Sequence, residues 1–215
     1  MPKATKYRIA LNALLFAGVT TGWILMALGG VGKLQAGGLE GLKYFTVQSN
    51  VFEGAASLAW LISVLATGKE TRFFAVLKYI AAVCAGLTFV TVMVFFAPLY
   101  GFIEMFRSAN FFFHLLVPLG AVAEFVLMNG KTVGLRENLA AVGAPLLYGT
   151  VYLVNVLLRT PTDNPFEHDF YGFVLWGMPV GLGIFATICA ATFVIGLVIR
   201  KGNGFWQKRR NARSD

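Results

Sequence analysis

The sequence predicts an all-α integral membrane protein, a bundle of six transmembrane helices with both termini on the cytoplasmic side. Three observations predict it. Of the 215 residues, 57% are hydrophobic and 13% are charged, against roughly 45–50% apolar and about 25% charged in soluble domains. The charges gather in short clusters between long apolar runs. Six such runs, each near the ~20 residues that cross a hydrocarbon core, use up the chain. The runs also lack the alternation of barrel strands, so the main chain must satisfy its hydrogen bonds within helices.

The first span is expected over residues 8–28. Lys3, Lys6 and Arg8 precede it in the manner of a signal peptide. The apolar stretch from Ile9 to about Leu28, however, exceeds the roughly 7–15 residues of a signal core and lacks a small-x-small cleavage site. It reads as a retained helix, closed by Gly29-Gly30 and Gly37-Gly38. The second and third spans cover 44–67 and 76–97, with Pro98 after the third, and the fourth covers 110–128, ending at Asn129-Gly130. The fifth covers 139–158, before Pro161 and Pro165, and the sixth covers 171–199. Gly172, Gly177, Gly181 and Gly183 predict close packing of the outer half of that last span on a neighbouring helix. The domain reading is one six-helix domain over 1–200 and a basic cytoplasmic tail over 201–215. No tandem repeat of the transporter kind is visible.

Basic residues set the orientation. Fourteen lie on one side (Lys3, Lys6, Arg8, Lys69, Arg72, Lys78, Lys131, Arg136 and six in the tail), against Lys33, Lys43, Arg107 and Arg159 on the other. The termini are therefore expected in the cytoplasm, and the loop with Asp163, Glu167 and Asp169 outside. The net charge of +8 is absorbed by this topology. The tail is expected to touch anionic lipid, and no base-reading module points to nucleic acid. Cys84 and Cys189 sit inside apolar runs with no metal-ligand spacing, so packing is their expected role. No metal or cofactor is expected.

Polar groups inside the spans carry the functional reading, since a charge at the bilayer centre costs about 2.5–3.5 kcal/mol on insertion scales. In the second span Thr46, Asn50 and Glu53 share a helical face. The fourth span carries Asn110, His114 and Glu124. Both spans enter from the outside, so at 1.5 Å per residue Thr46 lies about 3 Å and His114 about 6 Å below the helix starts. A hydroxyl needs a base to become a nucleophile, and these two side chains are at matched depth. The same residues are also what an interhelical hydrogen-bond cluster would use.

Lys43-Tyr44-Phe45-Thr46 opening the second span, and Asn110-Phe-Phe-Phe-His114-Leu-Leu-Val117-Pro118 with Glu124 in the fourth, resemble the androgen-induced-gene family of multi-pass membrane proteins. The resemblance implies a threonine hydrolase of fatty-acid esters of hydroxy fatty acids, with Thr46 and His114 as its catalytic pair. Asn164-Pro165-Phe166-Glu167-His168 is similar to a further stretch of that family and one residue shorter. The Phe-Thr-x-x-Ser-Asn and His-x-x-Val-Pro blocks are more similar still to a group of prokaryotic six-helix membrane proteins, which implies a prokaryotic plasma membrane.

The sequence thus points to an intramembrane lipid-ester hydrolase or related acyltransferase: Thr46 and His114 catalytic, Asn50, Asn110, Glu53 and Glu124 binding or supporting. Its expected partner is a membrane lipid or fatty-acyl ester. The alternative is a proton-coupled transporter or channel in which Glu53 and Glu124 relay protons. A haem protein ligated by His114 and His168 ranks behind both.

Overall fold

In lipid a helix is the segment that satisfies its own main-chain N–H and C=O groups, and each apolar run adopts it. The computed structural model describes residues 3–29, 38–159, 164 and 166–212. Gly30, Lys33, Gly37, Pro161, Asp163, Pro165 and Arg213, named above, lie outside the described residues. Among the described residues six helices are long and apolar enough to cross a membrane: α1 (Lys3–Ala27), α2 (Phe45–Thr67), α3 (Arg72–Tyr100), α4 (Ala109–Met128), α5 (Leu135–Leu158) and α6 (Met178–Asn211). A 3₁₀ turn over Gly38–Lys43 leads into α2, and a single helical turn over Phe102–Met105 leads toward α4. Among the described residues there is no strand. The start of α1 and the end of α6 define the terminal side of the bundle, and the opposite end is the far side.

α3 is the hub, packing against α2, α4, α5 and α6, while α1 fills the groove between α2 and α4. Small residues permit this closeness, as van der Waals packing between membrane helices requires. A methyl on Gly22 of α1 would stand 2.8 Å from the Phe113 ring of α4, and one on Gly54 of α2 would stand 2.9 Å from Val19. Ala81, Ala82, Ala85 and Gly86 give α3 the same slenderness, and all four are buried.

Two helices widen before a proline. Residues Val92–Phe96 precede Pro98 and residues Phe112–Leu116 precede Pro118, each as one π-helical turn. Proline lacks an N–H and its ring collides with the carbonyl four residues back, and the wider turn absorbs that collision. For Pro118 the residue four back is His114, so the α4 turn that opens is the turn bearing the imidazole.

The last span begins seven residues later than expected and runs on through the basic tail. Residues 171–177 are apolar yet fold as turns, because Gly172 and Gly177 take left-handed φ of 70° and 92°. The buried Asp169 carboxylate also accepts the main-chain amides of Phe173 and Val174, both at 2.9 Å. Gly181 packs on this loop at Val174 and Phe173, and a methyl on Gly183 would meet no heavy atom within 4 Å. The outer half of α6 does pack closely on α5, where a methyl on Gly149 would stand 1.9 Å from the Phe185 ring, but the four glycines of the last span do not make that contact.

No break occurs at residue 200. α6 continues to Asn211, and Asn203 donates to the carbonyls of Phe125, Val126 and Asn129 at 3.0, 3.2 and 3.0 Å. The final carbonyls of any helix lack intrahelical donors, and for α4 the side chains of α6 supply them. Arg210 adds bonds to Leu127 O and Asn129 O, each 2.7 Å.

Candidate functional site

Asn50 joins the two motif-bearing helices. Its Nδ2 donates to the Thr46 carbonyl at 2.7 Å and to the Phe113 carbonyl of α4 at 2.8 Å. The turn carrying Thr46 and the turn carrying His114 are thereby held against one carboxamide. His114 is buried, and its Nδ1–H donates to the Met105 carbonyl at 2.7 Å. A carbonyl only accepts, so the proton sits on Nδ1 and the neutral ring carries its lone pair on Nε2.

No hydrogen bond joins Thr46 to His114, and the half-buried Thr46 hydroxyl bonds to no described residue. The oxygens of Asn50 and Asn110 are buried without a hydrogen-bond partner. Asn110 Nδ2 makes one long contact, 3.5 Å to Glu104 O. Buried polar atoms are ordinarily paired, and these two oxygens are among seven buried side-chain atoms of the described residues that are not.

Beside this turn lies a cavity of about 500 Å³, within the range of small-molecule sites, lined by Phe45, Ser49, Phe52, Cys84, Tyr148 and Asn155 among others. α5 packs on α3 and α6 rather than on α2, and the gap left between α2 and α5 is this cavity. Its flank is open at Leu147 and Val151, which are 69% and 61% exposed. Thr46 and His114 do not line it. Ser49, which lines the cavity, donates to the Thr46 carbonyl at 3.0 Å.

An aromatic cluster closes the far side. Tyr171 accepts the Phe45 amide at 2.9 Å, and Tyr148 donates to Lys43 O at 2.6 Å. Tyr152 donates to the buried Asp169. Burial pushes the Tyr171 phenol up to about 12, and burial together with Glu40 raises that of Tyr44. Both therefore stay protonated near neutral pH. Asp169, in the loop expected outside, is the buried anchor of this cluster.

Glu53 and Glu124 meet elsewhere, on the terminal half of the bundle. Lys78 of α3 bonds Glu53 Oε1 and lies 3.7 Å from Glu124 Oε2, with all three side chains fully buried. It also donates to Ser57 at 2.8 Å, and Ser57 donates to Glu53 at 3.0 Å. Arg8 of α1 donates to Glu124 at 2.5 Å and to Glu70 at 2.7 Å, with its guanidinium 4.6 Å over the Trp60 ring. Asn12 donates to Glu124 at 3.1 Å, and Trp60 to Glu70 at 3.0 Å.

The sequence places Arg8 and Lys78 among the basic residues that set the topology, and the structure corrects both to internal counter-ions. Arg8, Glu70 and Lys78 escape a reading of the sequence because a charge near the end of an apolar run looks interfacial. Their signal was the two intramembrane acids themselves, which require cations.

No family model, curated protein or solved structure matches the chain. Among the described residues no group of three or more His, Cys, Asp or Glu side chains converges as a metal site would. His114 directs Nδ1 to a carbonyl.

Proposed function

We propose that the protein is an intramembrane hydrolase of fatty-acyl esters, with Thr46 as nucleophile and His114 as general base. The observation that supports this most is how His114 is held. Its Nδ1–H is bound to Met105 O, its Nε2 carries the lone pair, and Asn50 ties its turn to that of Thr46. A base whose other nitrogen is oriented by a third group is one part of the logic of activated nucleophiles.

In the reaction Nε2 takes the Thr46 proton as Oγ1 attacks the ester carbonyl. The tetrahedral intermediate collapses to an acyl-threonine, and the alcohol leaves with the proton from His114. Water, deprotonated by the same nitrogen, then releases the acid and restores the hydroxyl. An alcohol in place of water makes the same intermediate serve acyl transfer. Asn110, whose Nδ2 has a single long partner, is the donor for the developing oxyanion, and Asn50 positions the two turns. The cavity takes the acyl chain, which reaches it from lipid past Leu147 and Val151.

The same proposal sets the protein in a prokaryotic plasma membrane with both termini cytoplasmic. With Arg8 and Lys78 assigned to the interior, twelve basic residues remain on the terminal side against four on the other, and the imbalance keeps its sign. A C-terminal reporter active only in the cytoplasm checks it.

The decisive experiment is labelling by an alkyl fluorophosphonate of the purified protein and of Thr46→Ala, His114→Ala and Glu53→Gln. Label on the unaltered chain and on Glu53→Gln, absent from the other two, is the expected result. An unlabelled wild-type chain, or label retained by Thr46→Ala, overturns the mechanism.

A further inference from the structure

The ion network of the terminal half is not used by this chemistry. It contains three carboxylates, Glu53, Glu70 and Glu124, and two cations, Arg8 and Lys78. Fully ionised, it carries one net negative charge inside a protein embedded in hydrocarbon, where an uncompensated charge is costly. Among the described residues no other cation forms an ion pair with these carboxylates. Arg210 of α6 lies within electrostatic reach of Arg8 and donates to the Leu127 and Asn129 carbonyls. Cys84 of α3 is the other titratable group within electrostatic reach of Glu53. Three buried acceptor atoms in the network make no hydrogen bond: Glu53 Oε2, Glu124 Oε2 and Asn12 Oδ1.

We propose that this network is an internal proton-binding site, in which Glu53 takes up one exchangeable proton on Oε2 and Lys78 then transfers its pairing to Glu124. Three features of the geometry point there. One proton brings the network to neutrality. Of the two fully buried acids, Glu124 already has Arg8, Asn12 and Lys78 around it, whereas Glu53 has Lys78 and the Ser57 hydroxyl. Lys78 stands within ion-pair distance of both acids and, of the two, hydrogen-bonds Glu53. Neutralising Glu53 removes the charge that holds Lys78 on the α2 side and leaves Glu124 as its anionic partner.

The proton has a way in. Glu70, at the turn between α2 and α3, is the network's most exposed member, with its side chain 13% accessible, and it joins the interior through Arg8. The exchange is with solvent on the terminal side, a proton from hydronium leaving water behind, and no redox partner is needed. At the inner end Glu53 is one helical turn from Ser49, which with Cys84 lines the cavity. The proton site and the cavity therefore adjoin across a single turn of α2.

The test is infrared difference spectroscopy of the protein in lipid nanodiscs, titrated from about pH 5 to about pH 9, between the ordinary carboxyl and lysine ranges. A protonated carboxyl in a dry interior gives a carbonyl stretch well separated from the carboxylate bands. The expected result is one such band that shifts in deuterium oxide, disappears as the pH rises and is missing in Glu53→Gln. That variant mimics the protonated acid and is expected to fold. Lys78→Met, which removes a cation, is expected to bind a second proton and roughly double the band. No band in the wild-type chain, a band that persists unchanged to the alkaline limit, or one retained by Glu53→Gln overturns the proposal. Thr46→Ala is expected to leave the band intact, so the hydrolase reading and this one fail separately.

Discussion

Asn50 of α2 donates to the main-chain carbonyl of Phe113 on α4 at 2.8 Å, the residue next to the imidazole. The same nitrogen serves Thr46 O, so one side chain satisfies two carbonyls on two helices. Asn50→Ala leaves both without that donor in the bundle, at a cost of about 1–3 kcal/mol. The expected outcome is a lower melting temperature in detergent and loss of fluorophosphonate labelling, although Thr46 and His114 are untouched. Full labelling of Asn50→Ala would show that the two turns hold their relation without the clamp.

The His114 tautomer is open to direct measurement. Because Nδ1–H is committed to Met105 O, nitrogen chemical shifts of a ¹⁵N-histidine sample are expected to show a neutral ring protonated on Nδ1. The second histidine, His168, is removed from the spectrum by His168→Gln. A ring protonated on Nε2 instead would leave no lone pair directed away from Met105, and the general-base role would lose its footing.

The buried ion network separates two acids that look alike in the sequence. Glu124→Ala strips Arg8 and Lys78 of their shared partner, and breaking a buried pair from one side costs about 3–5 kcal/mol. Its yield of folded, monodisperse protein is expected to collapse. Glu53→Gln keeps the shape, keeps an acceptor for Lys78 and Ser57, and is expected to purify as the wild-type chain does. Equal damage from the two substitutions would contradict the unequal donor sets around these acids.

The six helices were legible because a run of about 20 apolar residues has few other fates in lipid. The start of α6 was not, because Tyr171–Gly177 is as apolar as a helix and only the left-handed Gly172 and Gly177, with Asp169 on two amides, turn it into a loop. Hydropathy cannot see a φ angle. At the candidate site, Asn50, Asn110, Glu53 and Glu124 were legible as polar groups that lipid would not tolerate. Their grouping was not: Glu53 and Glu124 belong with Arg8 and Lys78, whose places at the ends of apolar runs resemble interfacial anchors. A lysine is long enough to start near a helix end and deliver its charge inside.

Close packing at Gly196 offers a check on the α3–α5–α6 seam. Tyr79 donates to Asn138 Oδ1 at 2.6 Å and lies 2.9 Å from Gly196 O, and Asn138 donates to Phe193 O at 3.2 Å. A methyl at Gly196 would fall 1.9 Å from Asn138 Oδ1. Gly196→Ala is therefore expected to displace Asn138, cost about 1–3 kcal/mol through overpacking and lower the melting temperature. Gly183→Ala on the same helix, where no heavy atom stands within 4 Å, is expected to leave it unchanged.

The cavity between α2 and α5 ties the acyl-chain reading to a measurable selectivity. Its wall at Ala144 and Leu147 is remote in sequence from Thr46 and His114, and neither residue bonds the candidate catalytic groups. Ala144→Phe fills the cavity without touching Asn50, His114 or the ion network. If the chain of the ester occupies this space, the variant is expected to keep hydrolysis of a short-chain ester and its fluorophosphonate label. On a long-chain ester kcat/KM is expected to fall by about tenfold or more, the loss of roughly 1.4 kcal/mol of binding. Most of that fall is expected in KM, since contacts to a remote chain are shared by ground and transition states. An equal fall for short and long esters would make the damage general. An unchanged ratio with both rates intact would place the acyl chain outside the cavity.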